Sequence, residues 1–194
     1  MSHRVTGDRA PVEHFERLAR ESQDPWSYAT SDYEQRKYRD TLEYLPDRTG
    51  RTLELGCSIG VFTAMLAPRC ERLVAVDFSP TALERARERL RGAGEVEFLC
   101  RRLPEEMPTG PFDTIVCAEL LYYWSADLVR DGLRRLEAVL APGGTLLAVH
   151  WRHPDPRREL VGDDVHEILD VESSLALDAS RTTSDYLLDR WRAR

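Results

Sequence analysis

Thr52-Leu53-Glu54-Leu55-Gly56-Cys57-Ser58-Ile59-Gly60 and the later run Leu73-Val74-Ala75-Val76-Asp77 together decide the fold of this chain. An apolar strand enters a loop carrying Gly56 and Gly60, and a helical stretch begins at Val61. Glycine lets such a backbone turn sharply and approach a ligand that a side chain would hold away. About 20 residues past the loop, a nucleotide-binding α/β fold calls for an acid at the end of its next strand, where it accepts from ribose hydroxyls. Asp77 stands there, so an adenosine-containing cofactor is expected.

A pyrophosphate loop reads G-x-G-x-x-G and presents bare backbone N–H groups at a helix start. The first two glycines of that pattern are missing here, and Glu54 precedes Gly56. A carboxylate at this place repels pyrophosphate but suits a ligand bearing ammonium and sulfonium charges. The resulting E-x-G-x-x-x-G pattern resembles motif I of the class I S-adenosylmethionine-dependent methyltransferases. A tight strand-to-helix turn with no ligand is the plainer reading of the loop alone.

The remaining chain is consistent with that class. Its 194 residues suffice for one domain with a sizeable core. A formal charge of −7 argues against a general nucleic-acid binder. The many arginines interleave with acids, as in Glu84-Arg85-Ala86-Arg87-Glu88-Arg89, a pattern of solvated ion-paired helix faces. No apolar run approaches membrane-spanning length, and the N-terminus, with Arg4, Asp8 and Arg9, has no signal-peptide apolar region. Cys57, Cys70, Cys100 and Cys117 are dispersed and read as reduced thiols, neither disulfide frame nor zinc site. A cytoplasmic protein is expected, without membrane or nucleic-acid partners, as monomer or homodimer.

Two helices are predicted ahead of the first strand, at 11–21 and 31–45, with the aromatic loop Asp24-Pro25-Trp26-Ser27-Tyr28 between them. Strands follow at 51–55, 72–77, 95–100, 112–118 and 145–151, with helices at 60–68, from Ser79-Pro80, and at 125–140 before Pro142-Gly143-Gly144. A short helix at 163–171 precedes strands 175–182 and 185–192, which a polar turn joins into an antiparallel hairpin. The expected architecture is α/β. It is a Rossmann-like, seven-stranded, mostly parallel sheet with helices on both faces, a C-terminal hairpin and N-terminal helices. Residues 1–194 read as a single domain, with 1–48 a helical lid and 49–194 the core. Ligands of such sheets bind beyond the carboxyl ends of the strands. Gly56, Asp77, Leu103, Glu119 and His150 all fall there.

The class resemblance implies site roles. Glu54, Gly56 and Gly60, with Cys57 and Ser58 inside the loop, would hold the methionine part of S-adenosylmethionine. Asp77 would bind the ribose and Phe78 would flank adenine. Leu103 would offer its backbone N–H to the adenine ring, and Ala118-Glu119 would lie beside the transferred methyl. One departure is Arg102, where an aspartate often accepts from adenine; Glu105 or Glu106 could substitute. A narrower resemblance, to the nodulation protein S methyltransferases, rests on Asp24-Pro25-Trp26, Tyr33-Glu34-Gln35-Arg36-Lys37, Leu121-Tyr122-Tyr123, His150-Trp151-Arg152-His153-Pro154 and Gly162-Asp163-Asp164-Val165-His166. That family N-methylates the deacetylated glucosamine of a chito-oligosaccharide. The resemblance thus implies an amino-sugar or small-amine acceptor and S-adenosylhomocysteine as product, with no metal.

An amine acceptor must reach the methyl group without its extra proton, which a histidine or carboxylate could remove. His150 is the first candidate base, against a plain strand-end histidine; Glu119 is the second, against a purely cofactor-binding residue. Trp26, Tyr33, Tyr122, Tyr123 and Trp151, with Arg152, are candidates for acceptor binding, and Trp26 also for the cofactor as part of a lid. For Tyr33 and Tyr28 ordinary helix packing competes. Rival functions are a sugar or small-molecule O-methyltransferase, an NAD-dependent oxidoreductase, and a non-catalytic cofactor-binding protein.

Overall fold

The computed structural model describes residues 12–92, 94–155 and 158–194. Arg4, Asp8 and Arg9 lie outside the described residues. Seven strands form one sheet: β1 (Gly50–Leu55), β2 (Cys70–Asp77), β3 (Val96–Cys100), β4 (Phe112–Ala118), β5 (Leu140–Trp151), β6 (Ala176–Thr182) and β7 (Tyr186–Arg192). Their spatial order is β3-β2-β1-β4-β5-β7-β6. β1 to β5 pair in parallel, as in Leu53 opposite both Val74 and Ile115. β7 returns antiparallel along β5, with His150 opposite Leu187, and β6 closes the hairpin.

The apolar runs account for this sheet. Leu53, Leu73, Val76, Ile115, Val116, Cys117, Leu147 and Val149 are fully or almost fully buried, as parallel strands covered on both faces must be. Burying each large aliphatic side chain stabilises the fold by about 1.5–3 kcal/mol. Around the sheet lie α1 (Val12–Glu21), α2 (Asp32–Glu43), α3 (Val61–Leu66), α4 (Pro80–Arg89), α5 (Ala126–Val139) and α6 (Gly162–Glu172). Ser79 caps α4 by accepting from the Ala82 N–H at 3.0 Å, with Pro80 in the first turn.

Two boundaries shift from expectation for a local reason, and one further turn is present. The stretch expected as helix 60–68 ends at Leu66 and tightens into a 3-10 turn over Ala67–Arg69, where Pro68 cannot donate to the helix. β5 begins at Leu140, which pairs with Phe112. The pairing then slips before Thr114 meets Thr145, so Pro142-Gly143-Gly144 forms an irregularity inside the strand rather than a turn ahead of it. Leu121–Tyr123, unassigned from sequence, is a second 3-10 turn directly beyond β4.

α1 and α2 lie over the carboxyl ends of the strands. α2 seats Tyr38 against Phe62 at 5.2 Å between ring centroids. α1 is held to the start of α4 through Glu16, which accepts from the Ser79 and Thr81 hydroxyls, and Arg85 bonds the Ser22 carbonyl at 2.6 Å. Burial alone would raise the Glu16 carboxyl, but those hydroxyls and Arg20 hold it below the ordinary value. Among the described residues no helix is long and apolar enough to cross a membrane.

Candidate functional site

Asp77, at the end of β2, is half-buried and accepts from two backbone N–H groups, Ser58 at 2.9 Å and Ser79 at 2.9 Å. Burial raises its carboxyl and those N–H bonds oppose the rise. Asp77 thereby ties the loop after β1 to the loop after β2. Gly56 stands there at φ +73 and Ser58 at φ +47. Asp77, Gly56, Ser58, Ile59, Phe78 and Trp26 line a cavity roofed by Phe15 and Ala19 of α1. Phe15 meets Phe78 edge-on at 5.9 Å and Tyr123 at 4.9 Å.

A second recess continues under α2, lined by Glu54, Gly56, Cys57, Ser58, Ala118 and Glu119. Here Glu54 Oε2 is buried without a hydrogen-bond partner. Burial pushes its carboxyl up to about 8. A buried carboxylate oxygen lacking a donor is suited to an incoming ammonium group. The two recesses together therefore fit S-adenosylmethionine: an acid for the ribose, an aromatic wall for the base, and an orphaned carboxylate for the amino group.

A wider cleft of about 440 Å³ opens beside them, lined by Trp26, Tyr28, Tyr33, Glu34, Lys37, Glu119, Tyr122, Tyr123, Trp151, Asp155, Arg158 and Asp185, among others. Glu119 lines this cleft and both recesses, so it stands where they meet. Its backbone is held at φ +57, a left-handed conformation costing about 1–2 kcal/mol for a residue with a Cβ. Its side chain is held by three donors. Lys37 Nζ donates to Oε1 at 2.6 Å, while the Tyr122 hydroxyl and the Trp151 N–H (3.1 Å) donate to Oε2. Lys37 also bonds Glu34 Oε1 at 3.1 Å. Burial would lower this ammonium, but the two carboxylates outweigh it and raise it. Across the cleft, the Arg158 guanidinium lies over the Tyr122 ring at 4.1 Å and the Trp151 ring at 5.2 Å.

Trp26 reaches both the adenine-side cavity and the cleft. Its loop is shaped by Asp24, whose carboxylate oxygens accept from Tyr28 and Ala29 N–H at 2.8 Å each, with Ser27 at φ +58. Tyr33 lines the cleft with its buried hydroxyl unpartnered.

Several expected site residues stand elsewhere. Gly60, at φ +76, is needed for packing: a Cβ there would come within 2.9 Å of the Ala86 Cβ. It does not line either recess. Arg102 and Leu103 are likewise not among the described residues lining the adenine-side cavity. Leu103 belongs to the core, and the Arg102 N–H is taken by Glu106 Oε2 at 2.6 Å. Arg152 points away from the cleft into a fork with Asp163 (2.8 and 3.0 Å) and the Thr183 carbonyl at 2.7 Å. His150 is fully buried, with one ring nitrogen facing the Leu121 N–H and the other facing His166. With both nitrogens engaged inside the core, it cannot reach an acceptor in the cleft. Lys37, Glu34 and Arg158 were not anticipated as site residues. The available signal was Lys37 itself, a lysine on the otherwise uncharged face Tyr33-Tyr38-Thr41-Leu42 of α2.

Among the described residues no group of three or more His, Cys, Asp or Glu side chains is arranged to hold a metal. The fold and the paired recesses define a class I S-adenosylmethionine-dependent methyltransferase. The sequence model of the family described as Nodulation protein S (NodS) matches residues 10–181, and the chain belongs to that family. Nodulation protein S of Bradyrhizobium diazoefficiens is 41% identical over 129 residues, 64% of this chain and 61% of that protein, so the match spans just under two thirds of it. That of Sinorhizobium fredii is 28% identical over 194 residues, 93% of this chain and 89% of that one. The crystal structure of the N-methyltransferase NodS from Bradyrhizobium japonicum WM9 with S-adenosyl-L-homocysteine superposes with a TM-score of 0.83 at 28% identity. It covers 93% of this chain and 97% of that one.

Proposed function

We propose that the protein N-methylates an amino sugar, a deacetylated glucosamine unit of a chito-oligosaccharide or a similar small amine, with Glu119 as the group that receives the proton. The position of Glu119 at the junction of the two cofactor recesses and the open cleft carries this reading. A bound sulfonium supplies an electrophilic methyl group. The residues of the chain then have to align the acceptor nitrogen and dispose of its proton.

The cleft is built for a cationic acceptor. Glu34, Glu119, Asp155 and Asp185 face only Lys37 and Arg158 among its described ionisable lining, leaving negative charge in excess. Trp26, Tyr33, Tyr123 and Trp151 offer flat apolar faces on which a sugar ring can stack. An ammonium arriving here gives its proton to Glu119, whose lost charge then leaves Lys37 paired with Glu34. Glu54 would take the amino group of the cofactor, Asp77 its ribose hydroxyls, Phe78 and Trp26 its adenine end. That the related structure is of an N-methyltransferase supports nitrogen over oxygen as the acceptor atom.

The direct test incubates the protein and isotopically methyl-labelled S-adenosylmethionine with glucosamine oligomers, their fully N-acetylated forms and simple amines, followed by mass spectrometry of the products. Label on the nitrogen of the deacetylated unit is the expected result. Label on hydroxyls of the acetylated oligomers would overturn the amine assignment.

A further inference from the structure

The buried histidines have a use other than proton removal. His150 on β5, His166 on α6 and Asp189 on β7 form a line through the core: His150 Nδ1 to His166 Nε2 at 3.0 Å, and His166 Nδ1 to Asp189 Oδ2 at 2.6 Å. All three are buried. At the other end His150 Nε2 faces the backbone N–H of Leu121 at 3.2 Å.

That backbone group fixes every proton along the line. An amide N–H can only donate, so His150 Nε2 must be the acceptor and its proton sits on Nδ1. His166 Nε2 therefore accepts, its proton sits on Nδ1, and that proton is donated to Asp189. One arrangement satisfies all three bonds, and any reversal sets two donors against each other at Leu121. Leu121 opens the 3-10 turn Leu121–Tyr123, which follows the strained Glu119 and carries the Tyr122 hydroxyl that bonds Glu119. The His150 ring also meets the Tyr122 ring edge-on at 5.4 Å.

We propose that Asp189, His166 and His150 are positioning residues whose hydrogen-bonded line anchors the Glu119–Tyr123 turn at Leu121 and so sets the placement of Glu119 and Tyr122 in the acceptor cleft. This rests on the reading of that cleft as the acceptor site; the spectroscopic part of its test does not.

Two substitutions separate anchoring from other roles. In His150→Gln the side-chain amide oxygen reaches the place of Nε2 and can still accept from Leu121. In His150→Asn the shorter amide reaches only the place of Nδ1. The full-length protein bound to S-adenosylhomocysteine is studied by nitrogen-15 NMR. Both His150 and His166 are expected as neutral Nδ1–H tautomers, with a slowly exchanging Leu121 amide that stays slow in His150→Gln and exchanges at least about tenfold faster in His150→Asn. For methyl transfer, a displacement of the turn should lower kcat about 10- to 100-fold in His150→Asn and little in His150→Gln, with KM for S-adenosylmethionine unchanged in both. An Nε2–H tautomer at His150, or equal losses in the two variants, would overturn the proposal. Should His150→Asn fail to fold, the wild-type tautomers decide alone. Failure of the wild type to methylate any amine would count against the proposed function and leave the NMR outcome standing.

Discussion

Glu119 and Lys37 lie 82 residues apart in sequence and share one hydrogen bond at 2.6 Å in the core of the site. Replacing Glu119 by Gln keeps the shape but removes the proposed base, so kcat for amine methylation should fall by about 10²- to 10⁴-fold. Cofactor affinity measured by calorimetry should change far less. Lys37→Met acts differently, because it leaves Glu34 and Glu119 facing each other in a buried setting. Stranding buried charge in this way costs about 3–5 kcal/mol, read from urea denaturation, and adding Glu34→Gln and Glu119→Gln to Lys37→Met should recover most of it. Glu54, as the proposed partner of the cofactor's amino group, should make cofactor binding depend on pH. Burial raises its carboxyl to about 8, so between the ordinary carboxylate range and about pH 8 the folded protein holds a proton that the unfolded chain has released. Its contribution to stability therefore declines as pH rises through that window. A bound ammonium favours the ionised carboxyl, so cofactor binding should release a proton and tighten with rising pH up to about 8. Calorimetry in buffers of different ionisation enthalpy measures that release, and Glu54→Gln should abolish it.

At the scale of elements, Gly60 in the loop after β1 has a packing task between α3 and α4. Gly60 allows α3 and α4 to approach, since a Cβ would meet Ala86 at 2.9 Å in a backbone at φ +76. Gly60→Ala should destabilise the fold by about 1–3 kcal/mol in thermal unfolding, while the folded fraction keeps its cofactor affinity. The order of strands and helices was legible because β2, β4 and β5 carry contiguous apolar runs, a polar turn separates β6 from β7, and helices such as α4 have a local start in Ser79-Pro80. The places of Glu54 and Asp77 and of the loop between them were legible because fixed spacing puts them toward the carboxyl ends of the neighbouring strands β1 and β2. His150 was located at its strand end but its surroundings were not. Its partners His166 and Asp189 come from α6 and β7, and nothing near residue 150 shows that both ring nitrogens are taken. The pairing of Lys37 with Glu119 was hidden in the same way, as was the diversion of Arg152 to Asp163. Tertiary contacts decide which polar residue at a strand end faces the ligand; local pattern decides only that it is at the end.

At the scale of the whole molecule, the chain carries a formal charge of −7, and its cleft concentrates that sign: Glu34, Asp155 and Asp185 join Glu119 around the expected place of an ammonium. Charges gathered in a concave, partly apolar surface focus their field outward and raise the local concentration of an oppositely charged substrate. Attraction of this kind acts mainly on capture, while alignment at Glu119 occurs inside the cleft, where salt penetrates little. Raising ionic strength from about 0.01 to 0.15 M shortens the screening distance from about 30 to 8 Å. KM for a glucosamine oligomer should therefore rise severalfold across that range while kcat stays nearly constant, and Asp185→Asn should flatten the dependence. A neutral acceptor methylated on oxygen has no such charge to screen. If the preferred acceptor shows a KM indifferent to salt, its reacting group does not enter the cleft as a cation, and the excess of carboxylates there must serve the protein in another way.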